Sequence, residues 1–273
     1  MIIALITDFG TQDSYVGVMK GVIAGLCPTA QTIDITHDLP PQDLYAARFT
    51  LLSTYPYLPP STIFLVVVDP GVGTQRRAVA VQTSRGFLVG PDNGVLSGVL
   101  DSEPVLNAVE LVNAEYWRVP QPSATFHGRD IFAPAAAHLA NGVPIDRLGP
   151  VLDPQSLKNL PLTAPAVTET GWQGVVQYID RFGNAATTIP ASAVSAANFD
   201  TWTLSLGEIT LPGGRTYAAV PCGEGLALVG SHGFVEIAVN QGSAKERFGV
   251  AVGDRVLIHL WSTPFDPVSS PGV

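Results

Sequence analysis

The spacing of hydrophobic and polar positions changes its period partway along the chain. Residues 2–7 (IIALIT) are a continuous apolar run, the pattern of a strand buried on both faces. Tyr15, Val18, Met19, Val22, Ile23 and Leu26 then recur at helical spacing, with Asp13 or Ser14 as cap and Cys27-Pro28 as stop. A second strand is expected over Thr32–Thr36, a second amphipathic helix through Leu44, Ala47, Leu51, Leu52 and Tyr55, and a third strand over Thr62–Val68. Strand alternating with helix in this way predicts a mostly parallel sheet covered on both faces. Ala78–Gln82 and Gly86–Val89 read as short strands, and Arg129–Leu139 as a last helix.

Beyond Gly149 the helical period is lost. Four prolines (Pro150, Pro154, Pro161 and Pro165) mark residues 151–170 as a linker between an α/β domain over 1–150 and a second domain over 171–273. In the latter, Val175–Ile179, Trp202–Leu206, Leu226–Val229, Val235–Val239 and Val256–Leu260 are short β-type runs separated by Gly, Pro and Asn, which predicts a small all-β barrel. The last ten residues are expected to fray.

Composition narrows the function. Lys and Arg number 14 against 23 Asp and Glu, a net charge of −9, and only 14% of residues are charged, where about 25% is typical. With 46% hydrophobic residues the chain is no disordered polyanion. Lys occurs three times and no basic cluster exists, which argues against nucleic acid. The run Ile63–Val68 falls far short of the about 20 residues of a membrane-spanning helix. Met1–Ile6 lacks a basic flank and is not read as a signal peptide. Cys27 and Cys222 show no metal or redox spacing, which suits reduced thiols in the cytoplasm.

Three predicted strands run into an acid: Asp8, Asp38 and Asp69. In an open parallel sheet ligands bind beyond the carboxyl ends of the strands, so three acids there point to a site rather than to three helix caps. Asp69 opens the string DPGVGTQRR, whose glycines and proline make a tight loop able to return Arg76 or Arg77 to the carboxylate. It lacks the third glycine and following helix of a dinucleotide fingerprint. His127, beside a glycine and ahead of a helix, is placed as a general base or metal ligand. Two classes fit these residues. One is a metal-dependent hydrolase using Asp8, Asp38, Asp69, His37 and His127; the other is a metal-free site in which Asp, Arg and His orient a water. In the β half, Asp180-Arg181-Phe182-Gly183-Asn184 offers a ring and an amide to a heterocycle, or is an ordinary turn.

Taken together, ITDFG (6–10), VVVDPGVGTQRR (66–77), GPDNG (90–94), TFHGRDIFAPAAAHLA (125–140), YIDRFGN (178–184) and GSHGFVEIAVNQGSA (230–244) resemble the S-adenosylmethionine (SAM) hydroxide adenosyltransferases, or SAM hydrolases, relatives of fluorinase and chlorinase. The resemblance implies an N-terminal α/β domain, a C-terminal β-barrel, and a homotrimer binding SAM between subunits. It implies attack of water on C5′ of SAM to give adenosine and L-methionine, with no metal and no cofactor beyond the substrate. On it, Asp69 and His127 orient the water and accept its proton while Arg76 fixes their geometry. Asp8 holds the ribose hydroxyls and Phe126 lines the ribose pocket. Asp180 takes the methionine ammonium, Phe182 and Asn184 lie on the adenine side, and Asp13 and Ser231 lie near the amino-acid end. His232 stands where fluorinase has its carboxylate-binding Arg. An anionic Asp69 repels halide by several kcal/mol at short range, so hydrolysis is favoured over the alternatives, a SAM-dependent halogenase and a non-catalytic SAM or adenosine binder.

Overall fold

The computed structural model describes residues 1–194 and 201–260, so the tail expected to fray, residues 264–273, lies outside the described residues. The chain divides into two compact units, Met1–Leu160 and Pro161–Val273.

The first unit is a six-stranded sheet of β1 (Ile2–Thr7), β2 (Gln31–Thr36), β3 (Thr62–Val67), β4 (Ala78–Thr83), β5 (Gly86–Pro91) and β6 (Val105–Glu110). Its order is β2-β1-β3-β5-β4-β6. The first four in that order run parallel, and β4 is antiparallel to both neighbours. The crossovers are α1 (Tyr15–Leu26) and α2 (Leu44–Thr54); α3 (Ser97–Leu100) and α4 (Ala133–Ala140) follow β5 and β6. β3 is buried along its whole length, as its unbroken apolar run requires. Ile3, Leu5, Ile63, Leu65 and Val67 share a core with Met19 and Ile23 of α1 and with Phe132, Ala136 and Leu139. On the opposite face Phe64 meets Tyr55, at the end of α2, with ring centroids 5.2 Å apart.

Two helices depart from expectation. On α1 only Val16, Met19 and Ile23 are buried; the contact seam is narrower than the apolar stripe, and Tyr15, expected in the core, is 45% exposed. The helix expected over Arg129–Leu139 begins instead as a π-helical turn, Gly128–Phe132, before α4. Residues 150–152 cover the outer edge of β6 through Glu110 N–H to the Pro150 carbonyl (3.0 Å) and Leu152 N–H to that of Ala108 (2.8 Å). The stretch read as a linker is thus tethered to the first unit where it starts.

The second unit is a closed barrel. β8 (Gly171–Ile179), β9 (Ala185–Pro190), β10 (Trp202–Leu206), β11 (Ile209–Gly214), β12 (Gly225–Val229), β13 (Phe234–Val239) and β14 (Arg255–Leu260) form the wall, closed by pairing of β14 with β8. Closure pairs the wall strands into a ring, and the short β7 (Ala166–Thr168) pairs antiparallel with Gly171–Gln173 of β8. Val176, Ile189, Trp202, Leu204, Ile237 and Ile258 fill the interior. One short helix, α5 (Ala244–Phe248), does interrupt the strands, capped by the Ser243 side chain and stopped by left-handed Gly249.

Candidate active site

The crevice beyond the carboxyl ends of β1 and β3 holds a cavity of about 390 Å³ lined by Asp8, Asp69, Phe126 and His127 together with Phe9, Tyr15, Gln42 and Thr125. β1 ends at Thr7 and delivers Asp8; β3 ends at Val67 and delivers Asp69. His127 reaches the same cavity from the first turn ahead of α4.

The loop from Asp69 to Arg77 makes the centre of the site. Gly73 adopts φ +77°, and a Cβ there would meet the Ala124 carbonyl oxygen at 2.4 Å. Only glycine permits both the turn and this approach, which brings the loop against the segment carrying His127. Arg76 then grips Asp69 side-on. Its Nε–H donates to Oδ1 at 2.8 Å and its Nη2–H to Oδ2. The second Nη2 hydrogen goes to His127 Nδ1 at 2.9 Å. One guanidinium amino group therefore bridges acid and imidazole, and both ion-pair side chains are nearly buried, Arg76 10% and Asp69 6% exposed. The Phe132 ring backs the guanidinium at 5.1 Å.

This bridge fixes the imidazole's proton. Arginine only donates, so Nδ1 accepts and the neutral ring carries its hydrogen on Nε2. Burial, and then the Arg76 charge, hold the His127 pKa below its ordinary value of 6.5, against the opposing pull of Asp69 and Asp130. His127 is thus a neutral donor at the cavity wall.

Asp130, fully buried, takes both Nε and Nη2 of Arg129 at 2.7 Å and the Ser123 N–H at 2.8 Å. Arg129 and Ser123 hold its pKa below the usual carboxylate value, against burial. It anchors the loop before His127 to the π turn.

The other arginine of the pair, Arg77, turns away to Asp92. Asp38 is exposed and does not line the cavity, and His37 is buried with Nδ1 at 2.8 Å from Thr7 Oγ1. Of the five residues considered for a metal, Asp8, Asp69 and His127 line the cavity while Asp38 and His37 do not, and among the described residues no group of three or more His, Cys, Asp or Glu could hold a metal ion. Asp13 is exposed and outside the cavity lining.

Asp180, Phe182, Asn184 and Ser231 belong to the second unit. Asp180 Oδ1 accepts from the N–H groups of Phe182 (2.9 Å) and Asn184 (2.8 Å), and Oδ2 from Asn184 Nδ2 (3.2 Å). This ties the β8–β9 turn and leaves Phe182 76% exposed. Ser231 sits in the turn between β12 and β13. Next to it, His232 Nε2–H donates to Glu236 Oε2 at 2.9 Å, and Tyr217 Oη–H donates to Oε1 at 2.8 Å. The Phe234 N–H donates to His232 Nδ1 at 3.2 Å, so both ring nitrogens are committed. Burial and Glu236 push the Tyr217 hydroxyl up to about 12.

Among the cavity residues given no role from sequence are Gln42, Phe9 and Tyr15. Gln42 lies in a Pro-Pro-Gln-Asp string, itself a turn signal; Tyr15 carried only a core signal, and Phe9 stood only within the ITDFG string. With Phe126 these two rings form an aromatic cluster, centroids 5.1 to 5.9 Å apart.

Comparison with known proteins agrees along the chain. The SAM hydroxide adenosyltransferase N-terminal domain matches residues 3–149, and the corresponding C-terminal domain residues 174–257. A curated protein of Thermus thermophilus named (R)-S-adenosyl-L-methionine hydrolase is 43% identical over 91% of this chain and 95% of its own length. One of the same name from Salinispora tropica is 42% identical over 94% and 97%. A fluorinase from an Actinoplanes species is more distant, at 27% identity over 94% of the chain and 97% of its own. The crystal structure of an uncharacterized conserved protein from Thermotoga maritima superposes with a TM-score of 0.87 at 41% identity, covering 94% of this chain and all of the other. On these matches the chain belongs to the SAM hydroxide adenosyltransferase family.

Proposed function

We propose that this protein hydrolyses S-adenosyl-L-methionine, in the R configuration at sulfur for which its relatives are named, to adenosine and L-methionine. The observation that carries this reading is the Asp69–Arg76–His127 chain of hydrogen bonds at the wall of a cavity that also holds Asp8. A sulfonium leaves readily as a neutral thioether, so the protein's task is to hold water, C5′ and sulfur in line. Each Asp69 oxygen accepts one Arg76 hydrogen and retains a second lone-pair direction. Asp69 accordingly accepts a hydrogen from the attacking water, and His127 Nε2–H donates to its oxygen. The C5′–O bond forms as the C5′–S bond breaks, both bonding electrons leaving on sulfur. The surplus proton of the new C5′–OH₂⁺ passes to Asp69 and on to solvent. This divides the labour more sharply than the residue types do: His127 orients water as a donor, and the proton acceptor is Asp69.

Asp8 is assigned to the ribose hydroxyls and Phe126 to the ribose pocket. Asp180 is assigned to the ammonium, Phe182 and Asn184 to the adenine side, and Asp13 and Ser231 to the amino-acid end. We assign no cofactor besides the substrate and no metal. Homotrimeric assembly follows from the family resemblance and is checked by light scattering. The cytoplasm is the proposed compartment, where the free thiols of Cys27 and Cys222 stay reduced.

The decisive experiment incubates the protein with each sulfonium epimer in ¹⁸O-water, with and without chloride and EDTA. Labelled adenosine and methionine from the R epimer, unaffected by EDTA, are expected. A 5′-chloro-5′-deoxyadenosine product would make it a halogenase, retained adenosine without turnover a binder, and loss with EDTA a metal enzyme.

A further inference from the structure

Gln42 is one of three non-glycine residues with positive φ among the described residues, at +67°, and the one of the three that lines the cavity. The Asp43 N–H donates to the Pro40 carbonyl at 3.1 Å, closing a four-residue turn with proline second and Gln42 third. That is the arrangement of a type II turn, whose third position favours glycine. An observed backbone outlier of this kind justifies asking what the strain is for.

The Gln42 N–H, which the turn's own hydrogen bond does not use, donates to Asp8 Oδ2 at 2.7 Å. The contact is short and charge-assisted. Among the described residues it is the sole hydrogen bond to the Asp8 carboxylate. The turn is held from its other side, because the Asp43 side chain caps α2 by accepting the Ala46 N–H at 2.9 Å. Strand end and strained turn thus meet at one oxygen of Asp8, with the helix cap one residue further along the chain, and Oδ1 takes no hydrogen bond from a described residue.

We infer that Gln42 is a positioning residue for nucleoside recognition: its left-handed backbone presents an N–H that sets the Asp8 carboxylate to accept the vicinal hydroxyls of a ribose, while its side chain adds an amide to the cavity wall. The inference rests on the reading of Asp8 as the ribose acid. It makes the choice between ribose and deoxyribose depend on a turn rather than on Asp8 alone. A turn built only to reverse the chain is served better by glycine. A glutamine there gives up backbone ease and places a donor and an acceptor beside the acid.

The test measures calorimetric affinities for adenosine and 2′-deoxyadenosine, which need no turnover, beside KM and kcat for the sulfonium. Gln42→Gly keeps the N–H and relieves the turn. It should melt no lower than the parent and retain the ribose preference, with several-fold weaker binding of both nucleosides. An amide-to-ester replacement at residue 42 removes the N–H alone and leaves the side chain in place, whereas Gln42→Pro removes it and also forces φ away from +67°, breaking the turn. In either, the preference for adenosine should fall about ten- to a hundredfold, the value of one hydrogen bond to a charged group, approaching that of Asp8→Asn. KM should rise more than kcat falls. If the proline variant does not fold, the ester variant decides. Undiminished ribose preference in a folded protein lacking the N–H overturns the inference. Adenosine binding with the expected preference but no hydrolysis would overturn the proposed reaction and leave the inference standing.

Discussion

Each unit of this protein contains an acid and a histidine joined in a hydrogen-bonded group of three, and the two groups are wired differently. In the first unit Arg76 sits between Asp69 and His127 and donates to both. The imidazole spends Nδ1 on the arginine and keeps Nε2–H for the cavity it lines. In the second, Glu236 sits between Tyr217 and His232 and accepts from both, while the Phe234 backbone takes the remaining histidine nitrogen. The central residue decides the outcome. A cation at the centre leaves a histidine with a proton to offer; a carboxylate at the centre, with a backbone donor behind, closes the ring on itself. Composition does not separate these two acid–histidine pairs, but the direction of each hydrogen bond does.

The sharpest way to break this comparison is Asp69→Asn, which keeps the shape and removes the proposed proton acceptor. Adenosine formation should drop by about 10³-fold with SAM affinity within a few-fold of the parent, judged by single-turnover rates and calorimetry. Equal turnover would move the acceptor elsewhere. Arg76→Lys retains the charge but cannot bridge two partners with a fixed fork. It should cost about 10²-fold in kcat and, because Asp69 is nearly buried, about 2 kcal/mol in unfolding free energy. A smaller effect comes from pH. Protonated His127 has a hydrogen on Nδ1 facing the Arg76 donor, so kcat/KM should fall as pH drops through a pKa below 6.5 and stay level above it. Its stability contribution has the same sign, since a folded pKa below the unfolded one means stability present above pH 6.5 and lost as pH falls through the folded value. An acid limb above 6.5 would refute the bridged tautomer. The smallest catalytic effect belongs to the second group. His232→Gln should lower stability by about 1 kcal/mol and change kcat less than about twofold. A large rise in KM would instead make His232 the carboxylate contact that its place in the family pattern suggests.

What sequence makes legible here follows from how local each signal is. β1 and β3 are unbroken apolar runs of six residues and α1 is periodic over twelve, and all three fall where the pattern puts them. The acids at Asp8 and Asp69 were visible because strand ends in a parallel sheet are binding positions whatever the family. β6, β9 and β11 were not legible. AATTIP and ITLPGG carry alanine, glycine and proline, and they become strands because their neighbours in the sheet and barrel supply the ladder. The same limit hid Tyr15, apolar at a core spacing, where only the narrowness of the α1 seam shows that it faces the cavity. Residue type and spacing do not separate Arg76 from Arg77, and in sequence only the family resemblance picks out Arg76. Their separation into a site residue and a clamp on Asp92 depends on which way the loop twists after Gly73.

The π turn ahead of α4 carries a further consequence, of chain length rather than chemistry. In it the Ala133 N–H reaches back to the Gly128 carbonyl five residues away instead of four. Such a turn is an α-helix with one residue too many, and regularising it would rotate everything upstream by about 100° about the axis. His127 stands directly upstream. Deleting one residue between 128 and 132 would therefore give a more regular helix whose histidine no longer meets Arg76. The site exists in the phase difference between two helical registers, and a substitution-only search of sequence space would never expose that dependence.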